Sequence, residues 1–202
     1  MRCYGARRRN DGVADGAHCR WPERRGEDHT RGAYAEQKNQ SYLAADRIAE
    51  EIDPDDPYAV RMAAGRQFLR RLDAFIDDRI SFVVESTLAG RGLAQAVDRM
   101  NGAGYVTRIA FVFLNSVDRC VRRVQERVRK GGHHVPEADV RRRYTRSKKN
   151  FWTLYRPKVD RWILFRNTGQ SLQRVAEGDE DTQSVLRQSG YEKFFDNLSL
   201  SP

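Results

Sequence analysis

ISFVVESTLAGRGLAQAVDRMNGAGYVTRIAFVFLNS (80–116) is the stretch that decides the fold class of this chain. It opens with a short, nearly continuous apolar run rich in β-branched residues (80–87), which predicts a buried parallel strand. Residues 88–104 start as a loop and continue as a helix, and 105–116 form a second buried strand. A strand, a helix and a strand in this order indicate an α/β domain with a parallel sheet.

The same alternation extends outward on both sides. Apolar residues recur at steps of three or four in 58–78, which predicts an amphipathic helix of about five turns. GGHHVP (131–136) breaks a strongly basic helical region into two helices. The remaining predicted elements are a short strand and a helix at 41–52, helices at 117–130 and 137–157, a strand at 159–169, a strand or short helix at 171–178 and a last helix at 185–195.

Composition divides the chain into two parts. At 202 residues it can bury one ordinary core, although the hydrophobic share is only 39% and the mean hydropathy is −0.79. Residues 1–32 hold eight arginines and little apolar surface to offset ordering entropy. We therefore expect a disordered or frame-shifted leader at 1–40 and a single domain at 41–202.

Charge and cysteine content limit the functional classes. The formal charge is +9, which suits a polyanionic ligand and equally suits a solvated basic surface. Three scattered cysteines indicate a reducing, cytoplasmic compartment rather than a disulfide framework. No apolar run approaches the length of a membrane span or of a signal peptide core, so we expect no membrane association.

A further signal lies one base out of frame behind RWPERRGEDHTR (20–31). We assign codons that end in G or C wherever the code allows, and GAA for each glutamate. When the codons of 21–29 are then translated from one base later, they encode GPNGAGKTT. That peptide is a complete Walker A loop of the GxxxxGK[ST] form. Residues 12–20 can shift likewise to the apolar strand that such a loop follows. The alternative is that 1–40 is simply an arginine-rich disordered leader.

Several motifs in order resemble a known family. They are ADRIAEEI (45–52), the strand that ends in ESTLAGR (85–91), GGHHVP followed by RRRY (141–144), and WILFRNTG (162–169). Together they resemble the zeta-toxin-like P-loop kinases, also described as predicted ATPases, over about 41–190. The resemblance implies a three-layer α/β P-loop kinase-like fold with a parallel sheet and a helical lid, whose first strand and phosphate loop are lost or disordered here.

The resemblance also implies a reaction and its participants. ATP with Mg²⁺ would phosphorylate a hydroxyl group of a small acceptor such as UDP-N-acetylglucosamine, and an antitoxin protein would be a partner. Asp46 matches the carboxylate that takes the proton from the acceptor hydroxyl, although an aspartate before RIAEEI also suits a helix N-cap. Glu85 and Thr87 match the substrate and metal motif, with a solvated strand end as the alternative. Arg91 would help to hold an acidic substrate, or is a surface arginine.

Two basic helices joined by a glycine-containing turn are typical of a lid over a triphosphate. By the resemblance one arginine from each helix contacts the γ-phosphate, and Arg127 and Arg143 are the residues assigned, with neighbouring arginines as alternatives. Arg146 is assigned to the nucleotide cofactor. His133 and His134 are expected to position the turn, and no residue is assigned as a metal ligand.

The chain departs from the family at its N-terminus. As written it has no Walker A loop, and Glu27 stands where the shifted frame gives the lysine. A negative charge there repels phosphate, so we expect impaired activity. The alternative is a noncatalytic, basic RNA- or partner-binding protein. Nucleic acid is disfavoured as a partner because the aromatic residues of the basic stretch 1–32 are not interleaved with its arginines in the way that single-strand stacking requires.

Overall fold

The computed structural model describes residues 2–8, 41–196 and 198, and the structural statements below refer to these residues. The strands are β1 (Arg2–Arg8), β2 (Ser41–Ala44), β3 (Phe82–Glu85), β4 (Tyr105–Leu114), β5 (Arg161–Asn167), β6 (Leu172–Gly178) and β7 (Gln183–Val185). The helices are α1 (Ala45–Ile52), α2 (Arg61–Asp77), α3 (Gly92–Gly102), α4 (Val117–Arg129), α5 (Glu137–Asn150) and α6 (Gln188–Phe195). None of these helices is both long enough and apolar enough to cross a membrane.

All of the described strands form one sheet in the order β2-β3-β1-β4-β5-β6-β7. β2 pairs with β3 and β4 pairs with β5 in parallel. β1 is antiparallel to both of its neighbours, so β2, β3, β4 and β5 all run in one direction. The predicted α/β class is confirmed. The sheet is mixed rather than purely parallel, because β1 and β6 run against these four strands.

β1 fills the gap between β3 and β4 at the centre of the sheet. Cys3 pairs with Glu85 on one side and with Ala110 on the other. The disordered leader that we expected at 1–40 contained no such strand. Strand pairing joins backbone N–H and C=O groups, which every segment carries, so poverty in apolar side chains did not rule it out. Residues 12–20 and 21–29, behind which the shifted frame encodes a strand and a Walker A loop, lie with the rest of 9–40 outside the described residues.

The two ends of the sheet carry different parts of the chain. Registers such as Ala44 with Glu85 and Leu114 with Asn167 place the last residues of four strands side by side, at what we call the carboxyl end. At the opposite, amino end, β1 finishes with Arg8 beside Tyr105. β2 begins there as well. Residues 8 and 41, which flank 9–40, therefore both lie at the amino end.

The core contains a cluster of aromatic side chains on one face of the sheet. Phe111 of β4 stacks on Phe151 with ring centroids 4.4 Å apart. Trp162 of β5 and Phe194 of α6 meet Phe151 edge-on at 6.2 and 6.0 Å. All four are almost completely buried. Each residue comes from a different element, so the cluster joins β4, β5, α6 and the turn that follows α5.

The helix predicted at 137–157 is divided in the structure. α5 ends at Asn150, a π-helical turn covers Phe151–Tyr155, and a 3₁₀ turn covers Arg156–Lys158. The wider π turn keeps Phe151 and Tyr155 on the same buried side, and both are fully inaccessible to solvent. The predicted strand at 159–169 is confirmed as β5, and the segment at 171–178 is a strand, β6, rather than a helix.

Lys148 of α5 is buried beside this core. Its ammonium donates a hydrogen bond to the carbonyl oxygen of Asp196 at 3.0 Å and lies 5.1 and 5.3 Å from the ring centroids of Tyr144 and Phe194. Burial lowers the pKa of this amine to about 8, since desolvation penalises the charged form. The unfolded chain, with an ordinary lysine pKa, therefore holds this proton more tightly than the folded protein does.

The linkage predicts a pH-dependent stability. Between about pH 8 and pH 10.4 the unfolded state binds more protons at Lys148, so the free energy of unfolding rises with pH across this window, by up to about 3 kcal/mol. We expect Lys148→Met to remove that rise, measured by urea unfolding from pH 7 to pH 10. Lys149→Met changes an exposed neighbour and should keep it. Parallel pH profiles for the wild type and Lys148→Met would contradict the assignment.

Candidate functional site

Polar residues end or follow three strands at the carboxyl end of the sheet, and two of them, Asp46 and Glu85, were predicted as site residues from the sequence. Asp46 lies two residues beyond the end of β2, Glu85 is the last residue of β3, and Asn115 follows β4. Because Ala44 pairs with Glu85, the first two segments leave the sheet side by side. Ligands of open α/β sheets bind at this end, so we treat it as the candidate site.

Glu85 is anchored from the neighbouring strand. The Tyr42 hydroxyl donates a hydrogen bond to Glu85 Oε2 at 2.5 Å. The Arg47 guanidinium lies 5.0 Å from the centroid of the Tyr42 ring. The Glu85 carboxylate therefore has a fixed position at the carboxyl end. Tyr42 could not be identified from the sequence, because its contact with Glu85 depends on the parallel register of β2 and β3.

The loop after β3 has an unusual backbone. Leu88 is buried and adopts φ 54°, in the left-handed region that non-glycine residues seldom enter. Its amide donates a hydrogen bond to Ser86 Oγ at 3.1 Å, and the amide of Ala89 donates to Thr87 Oγ1 at 3.4 Å. Such strain persists only where surrounding contacts hold it, and it concentrates at functional sites.

Side chains from the end of α5 and the turn after it hold this loop. Asn150 Nδ2 donates a hydrogen bond to the Leu88 carbonyl at 2.8 Å. The Tyr155 hydroxyl donates to the Gly90 carbonyl at 2.7 Å, and burial raises the pKa of Tyr155 to about 12. Arg91 follows directly, is exposed, and immediately precedes α3. The loop is thus rigidly placed, with Thr87 and Arg91 on its exposed parts.

Asp46 is not a helix N-cap. The N-cap of α1 is Ala44, which offers no side-chain hydrogen bond, and Asp46 is the second residue inside the helix. The capping alternative for Asp46 is therefore wrong. Its side chain is exposed, and no hydrogen bond or ion pair joins it to another residue of the described ranges. An acidic group in the first turn still interacts favourably with the helix dipole.

The turn between α4 and α5 is tied together by Arg127. Its guanidinium donates a hydrogen bond to the carbonyl oxygen of His133 at 3.3 Å, and the amide of Gly132 donates to the Arg127 carbonyl at 3.0 Å. A Cβ at Gly132 would lie 2.6 Å from Arg127 Cγ, so this close approach requires glycine. Arg127 therefore shapes the turn in this structure.

The same turn reaches α1. His133 Nδ1 lies 3.8 Å from a carboxylate oxygen of Glu50. Glu50 is four residues after Asp46, on the same face of α1. The contact brings the Arg127 turn towards the helix face that carries Asp46. That His133 and His134 position the turn stays a prediction.

Arg143 belongs to a network at the start of α5. The Tyr58 hydroxyl donates a hydrogen bond to Asp139 Oδ2 at 2.5 Å. Arg142 and Arg143 lie 2.6 and 3.9 Å from the same carboxylate. The hydrogen bond from Tyr58 lowers the pKa of Asp139, and both arginines add to that effect. Tyr58 and Asp139 were missed because they are 81 residues apart in sequence.

Arg146 lies on the solvent side of α5. It is exposed and makes no ion pair with another residue in 41–196. The structure brings Asp46, Glu85 and Thr87 to neighbouring strand ends and brings Arg127 towards α1. It does not bring Arg146 into a contact with any of them.

Two further arginines lie at the carboxyl ends of β4 and β5. Arg166 Nε donates a hydrogen bond to Asn115 Oδ1 at 2.6 Å, and Arg119 donates to the Thr168 carbonyl at 2.9 Å. Both contacts cross from β4 or α4 to the end of β5. The FRNTG pattern of the sequence could have pointed to Arg166, since it is the next-to-last residue of the apolar strand β5.

The donor set at this end fits a hard cation only in part. Glu85 and Thr87 offer oxygen atoms of the kind that Mg²⁺ prefers. No group of three or more His, Cys, Asp or Glu residues is arranged to hold a metal within the described residues. Mg²⁺ at this site would therefore depend on waters and phosphate oxygens for most of its ligands.

The cavity between α4 and α5 is a separate feature. It measures about 330 Å³ and is lined mainly by valines, including Val121, Val124, Val128 and Val140. Apolar walls of this kind suit hydrocarbon groups rather than a phosphate. We therefore do not include the cavity in the candidate site.

The chain is similar in sequence to a known protein. An uncharacterized protein from Haemophilus influenzae is 30% identical over 105 residues, which are 52% of this chain and 75% of that protein. The chain belongs to the same family as that protein. No family model matches the chain, and no solved structure matches it. The assignment of this family to a reaction therefore depends on the site itself.

Proposed function

We propose that this fold served ATP- and Mg²⁺-dependent phosphoryl transfer to a hydroxyl group of a small acceptor, and that the chain as written does so poorly. The observation that carries the proposal is the gathering of Asp46, Glu85 and the Arg127 turn at one end of the parallel strands. A carboxylate base, oxygen ligands for a metal and arginines for developing charge are what phosphoryl transfer needs.

The roles follow the resemblance to zeta-toxin-like P-loop kinases. Asp46 takes the proton of the acceptor hydroxyl, and its exposed carboxylate in the first turn of α1 supports that role. Glu85, Thr87 and Arg91 hold the acceptor and the metal. Arg127 and Arg143 contact the γ-phosphate after leaving the His133 carbonyl and Asp139, which hold them in this structure. Arg146 assists in nucleotide binding.

The wider assignment is also part of the proposal. The layout is that of a P-loop kinase with α4 and α5 as its lid, and the acceptor is a nucleotide sugar such as UDP-N-acetylglucosamine. The protein acts in the cytoplasm, where an antitoxin protein would restrain it. The scattered cysteines support that compartment.

The direction of β1 supports the loss of activity. In a fold of this kind the first strand is central and parallel, and the phosphate loop follows it at the carboxyl end. Here the central strand is antiparallel and finishes with Arg8 beside Tyr105, at the amino end. A loop that directly followed β1 would leave the sheet on the side opposite to Asp46 and Glu85.

An ATP titration tests the proposal. By calorimetry we expect the chain as written to bind ATP at least about 100-fold more weakly than a frame-corrected version that carries GPNGAGKTT at 21–29 and the shifted-frame residues before it. The lysine and amides of that loop make several charge-assisted hydrogen bonds, each worth about 1.5–3 kcal/mol. Glu27→Lys alone is the control and should bind weakly, because it restores the charge without the loop. Equal affinity in the original and corrected chains would overturn the proposal.

The alternative is a noncatalytic protein that binds RNA or a partner through its basic surface. The concentration of positive charge in α4 and α5 favours it. The nucleotide sequence around codons 12–40 separates the two: an open shifted frame that encodes the loop supports the kinase lineage. Codon usage typical of a maintained frame would support the binding protein.

A further inference from the structure

The positive charge of this chain is concentrated in one helical hairpin. Residues 117–150, which comprise α4, the turn and α5, contain twelve Lys and Arg and four Asp and Glu, a net charge of +8 against +9 for the whole chain. A solvated surface would not require such concentration. A cation that is already bound to another group of the protein is less available to a ligand than an exposed cation without such a partner.

Several of them are engaged in holding the fold together. Arg141 bonds to Glu137 and to Asp118, and so joins α5 to α4. Arg119 donates to the Thr168 carbonyl, and Lys148 is buried. Arg127 and Arg143 are held by the His133 carbonyl and by Asp139. These cations are structural in this state.

Three others form a line on the outside of α5. Arg142, Arg146 and Lys149 follow the spacing i, i+4, i+7, which places them on one helix face over about 10 Å. All three are exposed, and they lie opposite the face that buries Tyr144 and Lys148. Within the part of the chain that the structure describes, Arg142 alone among the three has an acidic partner, Asp139, which it shares with Arg143. We call these three residues the α5 stripe.

The surroundings of the α5 stripe decide which ligand it fits. The residue exposed between the cations is Thr145, and the apolar face of α5 is buried in the core. A protein interface usually has an apolar, aromatic centre, and a membrane-binding helix exposes its apolar face. The α5 stripe has no apolar centre and no exposed apolar face. Its positive charges and its hydroxyl group instead complement the phosphates of a nucleic-acid backbone.

We propose that the α5 stripe binds the phosphate backbone of a nucleic-acid strand. The stripe has no exposed aromatic ring, so binding is electrostatic and indifferent to base sequence. Its C-terminal end adjoins the loop after β3, because Asn150 donates to the carbonyls of Leu88 and Gly90. The exposed Arg91 extends the positive surface from there.

This surface differs from the one that the sequence drew attention to. Nucleic acid was disfavoured because the aromatic residues of 1–32 are not interleaved with its arginines as stacking requires, whereas the α5 stripe lies in the folded domain and needs no stacking. Arg146 and Arg91 also have roles in the proposed kinase activity, but the inference involves neither ATP nor the phosphate loop, and it gives a defined surface to the RNA-binding alternative named above. Its test contains no nucleotide cofactor, so the two proposals can fail separately.

The experiment compares two double variants of the full chain. Arg146→Gln with Lys149→Gln removes two cations from the stripe, and Arg66→Gln with Arg70→Gln removes two exposed cations from α2. Both variants fall from +9 to +7, because each loses two positive charges. Binding to a fluorescein-labelled single-stranded RNA of about 20 nucleotides is followed by anisotropy over a range of salt concentrations.

We expect the stripe variant to bind about tenfold more weakly, with the slope of log K against log salt reduced by about 1.4 for two lost phosphate contacts. The α2 variant should stay within about twofold of the wild type. Equal losses in the two variants would show only a general effect of net charge and overturn the proposal. Unchanged RNA binding with lost binding of poly-glutamate would assign the stripe to an acidic protein and overturn it too.

Discussion

Phe151→Ala is expected to lower the free energy of unfolding by about 3–5 kcal/mol. Phe151 is fully buried and its ring contacts Phe111, Trp162 and Phe194, so its removal leaves a cavity where four elements meet. A domain of this kind has a total stability of about 5–15 kcal/mol. The urea midpoint should therefore fall by on the order of 2 M, with little change in the slope of the transition.

Met62→Ala is the matched control for this loss. Met62 lies in α2 with 67% of its surface exposed, and its truncation should change stability by less than about 0.5 kcal/mol. Phe151→Leu keeps much of the volume and should lie between the two variants. If Phe151→Ala and Met62→Ala unfolded at the same urea concentration, the aromatic cluster would not be the centre of stability.

The parts of the fold that periodicity encodes could be predicted from the sequence. The unit from β3 through α3 to β4 is visible as two apolar runs around a helical pattern, because buried strands and amphipathic helices impose those patterns. The break at 131–136 could be predicted from its glycines and proline. The split of 137–157 at Asn150 could not, because the π turn depends on where Phe151 meets the core.

The centre of the sheet could not be predicted either. β1 holds its place by backbone pairing with β3 and β4, and composition carries no information about such pairing. Partners across the candidate site were also invisible, because Tyr42 and Glu85 are 43 residues apart. The strand ends that carry Asp46 and Glu85 could be located, since polar residues after apolar runs mark the carboxyl ends of strands.

In a frame-corrected chain, Asp46→Asn is expected to lower the rate of phosphoryl transfer by about 10²–10⁴-fold while ATP affinity stays nearly unchanged. The reason is that a base acts on the acceptor hydroxyl and not on the triphosphate. Arg143→Ala should weaken both ATP affinity and turnover, since an arginine of the lid touches phosphate before and during transfer. Transfer of labelled γ-phosphate to UDP-N-acetylglucosamine and calorimetry with ATP measure the two quantities.

Neither Asp46→Asn nor Arg143→Ala is expected to disrupt the fold. Asp46 is exposed and caps no helix end, so Asp46→Asn should cost at most about 1 kcal/mol through the helix dipole of α1. Asp139 keeps Tyr58 and Arg142 as partners when Arg143 is removed. Asp55→Asn, in the exposed loop after α1, is the control and should leave transfer unchanged. Unchanged turnover per folded molecule in Asp46→Asn, together with a sharp loss of thermal stability, would make Asp46 a structural residue and leave the reaction without its base.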